Sequence, residues 1–158
     1  MDRAEARHAS LHRVAPIVHR LDVEWSRNGA PVDRRETSFG IRAFTRDGRR
    51  LRLNGRAVFL RGTLDCCIFP LTGYPPCDVD GWRKVYSTVQ AYGLNHVRFH
   101  SYCPPEAAFV AADEMGVLLH VETPVWAVLG SDPNLDRFIH EESERIVRAY
   151  GNHPSFVM

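Results

Sequence analysis

The alternation of apolar and polar residues has a period of two in the first part of the chain. Up to residue 62, charged residues separate the apolar ones, and Asn-Gly or Asp-Gly pairs stand between the runs. This period is typical of half-buried strands, and such pairs favour tight hairpin turns. Antiparallel strands are therefore predicted at residues 18–25, 31–37, 39–44, 51–53 and 58–62. They are too few to close a β-sandwich alone.

Beyond residue 62, apolar residues recur at spacings of three and four, the period of an amphipathic helix. After a long loop at residues 63–77, helices are predicted at residues 78–92, 107–115 and 134–150. Short apolar runs predict strands at residues 94–99 and 117–121, and the start of another at 155–158. In the last helix the side chains predicted to face inward are Leu135, Phe138, Ile139, Ile146, Val147 and Tyr150.

Two strands joined by a helix are predicted to be parallel neighbours, because a helical crossover returns the chain in the same direction. His100 follows the first of these strands and Glu122 follows the second. Both residues therefore leave the same edge of one sheet, where α/β folds carry their functional residues. The repeated strand-helix units predict an α/β fold with an open or closed parallel sheet.

Composition allows one globular core. The chain has 158 residues, 44% of them hydrophobic, and a net charge of +1. No apolar run approaches the roughly 18 residues of a transmembrane helix. We therefore expect no membrane partner. We also expect no nucleic-acid partner, because the arginines are spread among strand residues instead of clustering on one helix face. No export signal is visible, but a missing native start leaves the localisation open.

Six short motifs follow one another along the chain in an order that indicates one protein family. They are Phe39-Gly40-Ile41-Arg42, Leu53-Asn54-Gly55-Arg56, Phe59-Leu60-Arg61-Gly62, Asn95-His96-Val97-Arg98, Asp113-Glu114-Met115-Gly116 and Gly151-Asn152-His153-Pro154-Ser155. Taken together, from Leu21 to Met158, they resemble glycoside hydrolase family 2, which contains β-galactosidases, β-glucuronidases and β-mannosidases. Any one motif alone would be weak, whereas the set is specific.

The resemblance implies a partial (β/α)8 TIM barrel, strands 1–4 only, preceded by the last strands of an antiparallel, immunoglobulin-like β-sandwich domain. Residues 18–50 would belong to the sandwich and residues 51–158 to the first half of the barrel, after an unstructured or ill-defined start at residues 1–17. A complete barrel takes about 250 residues. We therefore expect a fragment, whose open barrel edge favours aggregation or dye binding in isolation.

The resemblance also implies a retaining exo-glycosidase that hydrolyses O-glycosyl bonds of a carbohydrate substrate without a cofactor. In the family, an acid/base glutamate ends strand four and a nucleophile glutamate ends strand seven. Retaining hydrolysis places these carboxyl groups about 5–5.5 Å apart. Neither position lies before Met158, so we expect no catalytic residue in this chain and no activity from it alone. The full-length protein could form oligomers.

Arg98, His100 and Tyr102 are candidate substrate-binding residues by the same resemblance. Arg98 matches an arginine under the nucleophile, where a guanidinium keeps a carboxylate ionised and oriented; a salt bridge within the barrel is the alternative. The family commonly has Ser-His-Tyr-Pro where residues 100–103 read His-Ser-Tyr-Cys. His100 therefore either contacts sugar hydroxyls or packs the loop. Tyr102 either contacts the sugar or packs in the core.

Asp65, Glu122 and Trp126 complete the candidate substrate rim. The family's common Gly-Val-Asn-x-His is Gly-Thr-Leu-Asp-Cys-Cys at residues 62–67, so Asp65 is the charged group there, as a sugar ligand or a loop cap. Glu122 and Trp126 place an acid beside an aromatic platform that suits a pyranose ring. The alternatives are an ion pair of Glu122 with Arg98 and a packed lid at Trp126. The sugar itself is not predicted.

Two other classes of function use the same residues. A non-catalytic carbohydrate-binding module or pseudoenzyme would keep the rim without the catalytic acids. A metal or redox protein would use the cysteines together with His100, although their spacing lacks the C-x-x-C pattern of metal sites. The four cysteines are Cys66, Cys67, Cys77 and Cys103. We expect reduced thiols and no bound metal.

Overall fold

The computed structural model describes residues 18–158, so the prediction for residues 1–17 lies outside the described residues. The strands in that range are β1 (His19–Arg27), β2 (Ala30–Phe39), β3 (Phe44–Asp47), β4 (Arg50–Leu53), β5 (Arg56–Val58), β6 (Gly62–Asp65), β7 (His96–Phe99) and β8 (Leu118–Val121). The helices are α1 (Val79–Ala91), α2 (Glu106–Met115) and α3 (Pro133–Tyr150). Within residues 18–158, no helix has the length and apolar character that crossing a membrane would require.

The strands β1 and β2 form an antiparallel ribbon that is exposed along its whole length. Asn28 and Gly29 both have positive φ, as a type I′ hairpin turn requires. One face of the ribbon carries charged residues, among them Arg20, which contacts Glu36 at 2.6 Å. The opposite face of β1 carries the apolar residues Leu21, Val23 and Trp25.

The strand predicted at residues 39–44 is wrong. Phe39 ends β2, and Phe44 begins β3, which forms a three-stranded antiparallel sheet with β4 and β5. At Gly40 the backbone passes so close to Pro154 that a Cβ atom would lie 2.5 Å from the proline ring. The guanidinium of Arg42 donates to the Gly151 carbonyl at 3.1 Å. Residues in this stretch therefore contact the segment after α3 instead of pairing with a strand.

The parallel sheet has the order β6–β7–β8, so the parallel arrangement predicted for β7 and β8 is confirmed. Its first strand is not where the pattern placed it, because β5 ends at Val58 and β6 begins at Gly62. The Asn95 side chain explains the break. Its amide oxygen accepts from the Arg61 N–H (2.8 Å), and its amide nitrogen donates to the Phe59 carbonyl (3.1 Å). The start of the predicted 63–77 loop is consequently strand.

The helices α1 and α2 pack on one face of the parallel sheet and form the main core with it. The Asp78 carboxylate caps α1 by accepting from the Gly81 N–H at 2.7 Å, and α2 ends at Gly116, which has a left-handed φ of 72°. Burying one large apolar side chain contributes roughly 1.5–3 kcal/mol. The largest fully buried aromatic and aliphatic side chains of this layer are Trp82, Tyr86, Phe99, Phe109 and Leu119.

The helix α3 is less buried than predicted. Ile146 is buried and the Tyr150 ring stacks on Phe109 with centroids 4.4 Å apart. Phe138 and Val147, however, are 41% and 57% exposed, so the prediction that both face inward is wrong. The apolar stripe of α3 is wider than the surface it contacts, which leaves its margins in water.

Residues 155–158 run beside β8 and form one parallel bridge, between Leu119 and Phe156. The Leu119 N–H donates to the Ser155 carbonyl at 2.7 Å, and the Val121 N–H donates to the Met158 carbonyl at 2.8 Å. The predicted fourth strand is therefore present as a bridge with strand-like hydrogen bonds. In residues 18–158 the sheets do not close into a barrel.

Candidate functional site

The carboxyl edge of the parallel sheet carries different chemistry on its two faces. Residues in register in a parallel sheet point to the same face. Asp65 is in register with Phe99, which packs edge-to-face on Trp82 of α1, so Asp65 belongs to the helix-covered face. Arg98 is in register with His120 on the opposite face. The candidate residues thus share one edge of the sheet but not one face.

Arg98 and Glu122 form an ion pair between β7 and the end of β8. The Nε and Nη2 atoms of Arg98 contact Glu122 Oε1, and the Ser101 N–H donates to Oε2 at 2.8 Å. Ser101 presents this N–H from a left-handed backbone with φ 60°. Burial disfavours the charged form of Glu122, but the Ser101 hydrogen bond and the Arg98 guanidinium outweigh it and lower the pKa of Glu122. Glu122 is therefore an ionised, partnered carboxylate.

Asp65 holds the loop that follows its own strand. Its Oδ1 accepts from the Cys67 N–H at 2.8 Å and from the Tyr102 hydroxyl at 2.7 Å. Burial and the Asp65 carboxylate both raise the pKa of Tyr102, so this hydroxyl stays protonated and acts as a donor. Asp65 thus takes the loop-capping arrangement that its sequence position left open, and it ties the loop after β6 to the loop after β7.

His100 and Trp126 form the exposed end of the site. Their ring centroids lie 5.0 Å apart, and Trp126 is 80% exposed. His100 is held to the sheet because its backbone N–H donates to the Asp65 carbonyl at 2.8 Å. Its Nδ1 lies 3.7 Å from Cys66 Sγ. An exposed indole beside a fixed imidazole offers an aromatic surface for a ligand, whereas a packed lid would bury the indole.

Two histidines at this site were not singled out from the sequence. His96 and His120 lie on the same face as Arg98, with ring centroids 6.2 Å apart, and His96 Nδ1 contacts the Leu118 carbonyl at 2.9 Å. Burial is the main cause that lowers the pKa of both histidines, so both favour the neutral form. The alternation along β7 and β8 was the signal that could have placed them beside Arg98.

The four cysteines do not assemble into a metal centre. Across residues 18–158, no three His, Cys, Asp or Glu side chains are arranged so that they could hold a metal ion. All four thiols are free, with Cys66 and Cys77 exposed and Cys67 and Cys103 half-buried. The metal hypothesis therefore has no site in the part of the chain that the structure describes.

Curated proteins with clear sequence similarity to this chain include a β-galactosidase and an exo-β-D-glucosaminidase. A β-galactosidase from Thermoanaerobacter pseudethanolicus is 28% identical over 149 residues, which cover 93% of this chain and 20% of that protein. An exo-β-D-glucosaminidase from Amycolatopsis orientalis is 30% identical over 108 residues, which cover 62% of this chain and 10% of that protein. The chain thus spans a fifth or less of the length of these relatives. No protein-family model matches it.

Solved structures share the fold over most of the chain. A β-glucuronidase from Ruminococcus gnavus superposes with a TM-score of 0.75 at 22% identity, covering 88% of this chain and 24% of that one. A glycosyl hydrolase family 2 member from Bacteroides cellulosilyticus gives a TM-score of 0.71 at 21% identity, covering 89% of this chain and 19% of that one. At these identities the likeness establishes the fold.

Proposed function

We propose that this chain, whose resemblance to glycoside hydrolase family 2 the comparisons confirm, is part of a retaining exo-glycosidase that hydrolyses O-glycosyl bonds. Its relatives are named as glycoside hydrolases with different sugars, namely a β-galactosidase and an exo-β-D-glucosaminidase. The observation that carries the proposal is the contact of the half-buried His100 with the exposed Trp126, beside the ionised Arg98–Glu122 pair at the carboxyl edge of a parallel sheet.

We further propose that residues 51–158 form the first part of a (β/α)8 barrel, with strands 1–4 provided by β6, β7, β8 and the segment at 155–158. The parallel order of these strands and the helices on one face support this arrangement. Residues 18–50 would be the last strands of an immunoglobulin-like sandwich. The antiparallel sheet β3–β4–β5 lies at the proposed junction of the two domains.

The proposed role of each residue toward the sugar follows from the contacts that the residue makes at the carboxyl edge of the parallel sheet. Trp126 stacks on the pyranose ring and His100 binds a hydroxyl, because both rings reach the exposed end of the site. Arg98 and Glu122 form the charged floor of the site. The Cys67 N–H and the Tyr102 hydroxyl both donate to Asp65 Oδ1, so we propose that Oδ2 accepts a sugar hydroxyl. Tyr102 positions Asp65 beside that hydroxyl.

We propose that the 158-residue chain is inactive by itself. A retaining mechanism needs one carboxyl group that can donate a proton and a second that attacks the anomeric carbon. Glu122 suits neither role, because its lowered pKa removes the proton and its two oxygens are occupied by Arg98 and the Ser101 N–H. Asp65 lies on the other face of the sheet and holds two donors of its own.

An assay with chromogenic aryl glycosides tests the inactivity. The substrates are a β-galactoside, a β-glucuronide and a β-glucosaminide, chosen from the names of the similar proteins. We expect no release of the aryl alcohol above the buffer rate at any pH from 4 to 8. Turnover that Glu122→Gln abolishes would overturn the proposal and would make Glu122 a catalytic residue.

A fluorescence titration tests sugar binding separately from catalysis. Trp126 is 80% exposed and Trp82 fully buried, so a sugar stacked on the rim changes the emission of Trp126. We expect a saturable change with galactose, glucuronate or glucosamine. Trp126→Phe removes that change, and the matched variant Trp25→Phe, on the ribbon β1–β2, retains it. The absence of a saturable response to all three sugars would contradict the proposed rim.

A further inference from the structure

The four thiols of the chain have different surroundings. Burial, and then the nearby Glu142 carboxylate, raise the pKa of Cys103 to about 12. Burial and the adjacent Asp65 carboxylate raise the pKa of Cys67. The thiolate is the reactive form of cysteine, so both of these thiols are suppressed as nucleophiles at neutral pH. Cys66 and Cys77 are the two exposed cysteines that remain.

Cys66 and Cys77 differ in the atom that their sulfur faces. Cys77 Sγ donates to the Pro75 carbonyl at 3.7 Å, a contact that needs the thiol proton and is lost in the thiolate. Cys66 Sγ lies at the same distance, 3.7 Å, from His100 Nδ1. An imidazole nitrogen can accept the thiol proton, and the imidazolium formed then stabilises the thiolate. The sequence alone could not distinguish these two cysteines.

The charged groups near His100 are bonded to other residues, so the His100 ring can act as the base for Cys66. The Trp126 ring packs on it, and its backbone N–H is bonded to the Asp65 carbonyl. The charged groups on the adjoining elements are already paired: Asp65 with Tyr102 and the Cys67 N–H, and Arg98 with Glu122. The Nδ1 atom of the His100 ring is thus in contact with the thiol of Cys66.

We propose that Cys66, with His100 as its base, is a thiol-modification site that reacts selectively with low-molecular-weight disulfides such as oxidised glutathione. His100 Nδ1 accepts the proton of Cys66, and the thiolate attacks one sulfur of the disulfide. A new bond forms between Sγ and that sulfur while the disulfide bond of glutathione breaks. Cys66 is oxidised to a mixed disulfide, and the released glutathione thiolate is reduced glutathione once it takes up the proton from His100.

The modification has a consequence for the rim, and that consequence rests on the proposed function. A glutathionyl group on Cys66 lies against the imidazole of His100, which in turn contacts Trp126. It therefore occupies the aromatic surface proposed for the sugar. Oxidation by disulfides would block sugar binding, and reduction by dithiothreitol would restore it.

The selectivity is measured on the unmodified chain, with no variant needed. The folded, reduced protein is exposed to a limiting amount of oxidised glutathione, quenched in acid and digested, and the adduct at each cysteine is quantified by mass spectrometry. We expect Cys66 to react about tenfold faster than Cys77, with Cys67 and Cys103 slower still, since exchange rates follow the thiolate fraction and access. Equal rates at Cys66 and Cys77 would overturn the proposal.

The part played by His100 is tested by the pH profile of the same reaction. In the unmodified chain we expect the Cys66 rate to persist to lower pH than the Cys77 rate. His100→Gln keeps a polar side chain without a base, so the Cys66 rate falls about tenfold and its profile coincides with that of Cys77. Cys77→Ser is the matched control and leaves the Cys66 rate unchanged. An unaltered Cys66 profile in a His100→Gln protein with an intact circular dichroism spectrum would overturn the assignment.

Sugar titration of the reduced and glutathionylated proteins separates this proposal from the proposed function. If the reduced protein binds none of the three sugars, the proposed function fails and the ranking of thiols stands on its own. If the reduced protein binds sugar, we expect at least about a tenfold weakening after modification. Unchanged sugar affinity in the adduct would overturn the blocking role. Cys66→Ser should bind sugar and be insensitive to the disulfide.

Discussion

The ribbon β1–β2 and the parallel sheet β6–β8 show how differently one sequence pattern can be used. In β1, Leu21 and Val23 alternate with charged residues, and in β7, Val97 and Phe99 alternate with His96 and Arg98. Leu21 and Val23 are about half exposed, whereas Val97 and Phe99 are almost completely buried. The helices α1 and α2 cover the apolar face of β7, and the apolar face of β1 is open.

An alternating pattern predicts which side chains share a face of a strand, but it does not predict whether that face is buried. The period of two determines which side chains share a face of a strand. It does not determine whether another element covers that face, because the cover comes from residues elsewhere in the chain. The parallel strands receive theirs from the crossover helices, so the motifs that predict the helices also predict the burial of the sheet.

The largest expected difference between the two regions comes from one substitution made in each. Phe99→Ala removes a side chain that is fully buried against Trp82 and Tyr102, so we expect a loss of about 3–5 kcal/mol in the free energy of unfolding. Phe39→Ala on the ribbon is the matched control. Phe39 is 42% exposed and stacks on His19, so we expect a loss of at most about 1 kcal/mol.

Urea denaturation followed by far-ultraviolet circular dichroism measures both variants against the unmodified chain. Similar losses for Phe99→Ala and Phe39→Ala would mean that the ribbon is covered in solution. The proposed difference in burial between the ribbon and the parallel sheet would then be wrong. A loss below about 1 kcal/mol for Phe99→Ala would contradict the core itself.

The second expected effect concerns a buried polar contact in the parallel region. The Asp113 carboxylate of α2 accepts from His153 Nδ1 at 2.6 Å and from the Ser155 N–H at 2.9 Å, and so joins the segment 155–158 to the core. Asp113→Asn weakens both bonds inside a buried site, and we expect a loss of about 2–3 kcal/mol in the free energy of unfolding. Asp80→Asn, in the exposed pair with Arg83, should change it by less than about 0.5 kcal/mol.

Hydrogen exchange sharpens this test, because the Leu119 N–H donates to the Ser155 carbonyl. In Asp113→Asn the Leu119 amide should exchange faster than in Asp80→Asn, since the segment beside β8 is no longer anchored. Unchanged protection of that amide would show that the segment is held without Asp113.

The sequence predicted those parts of the fold that local signals specify. Gly116 ends α2 and the Asn28-Gly29 turn closes the ribbon, since both need a positive φ that glycine or asparagine adopts easily. The start of β6 could not be predicted in this way. It depends on the Asn95 side chain, which lies more than thirty residues along the chain from the peptide groups of residues 59 and 61 that it binds.

The wrong position predicted for the first parallel strand also affects the prediction of the site. If the strand ended at residue 62, as predicted, Asp65 would lie in a loop and could not be assigned to either face of the sheet. With β6 at Gly62–Asp65, the register with Phe99 places Asp65 on the helix-covered face, away from Arg98. The pairing of Arg98 with Glu122 was foreseen as an alternative, because both residues leave neighbouring parallel strands. The sequence grouped the cysteines with His100 in the metal or redox hypothesis, but it did not single out Cys66, because the contact of Cys66 with His100 depends on how two loops fold over the edge.

A smaller effect, dependent on pH, is expected from Glu122. Its pKa is lowered in the folded protein, so its contribution to stability is present above the unfolded pKa and is lost as the pH falls through the folded pKa. At pH 7 we expect Glu122→Gln to lower the free energy of unfolding by about 1–2 kcal/mol. The difference should shrink as the pH falls and vanish once the pH lies below the folded pKa, because the native carboxyl is then protonated.

Urea midpoints of both proteins between pH 3 and pH 7 check this dependence. Glu24→Gln on the ribbon is the matched control, and it should change stability by less than about 0.5 kcal/mol at every pH, since Glu24 is exposed. A Glu122→Gln difference that grows on acidification would reverse the sign and contradict the ion pair as the cause.

The smallest effect on stability should come from the ribbon, together with a clear change in surface behaviour. The exposed apolar face of β1, which includes Leu21 and Val23, should bind a hydrophobic dye in the unmodified chain. Replacing both residues by Thr keeps strand propensity and should lower dye fluorescence while changing the free energy of unfolding by less than about 0.5 kcal/mol. The control replaces Asp22 and Glu24, on the charged face, by Thr and should leave dye binding unchanged. Dye binding that survives in the first variant would place the responsible apolar surface outside Leu21 and Val23, with Trp25 on the same face and then Phe138 and Val147 of α3 as the next exposed residues to change.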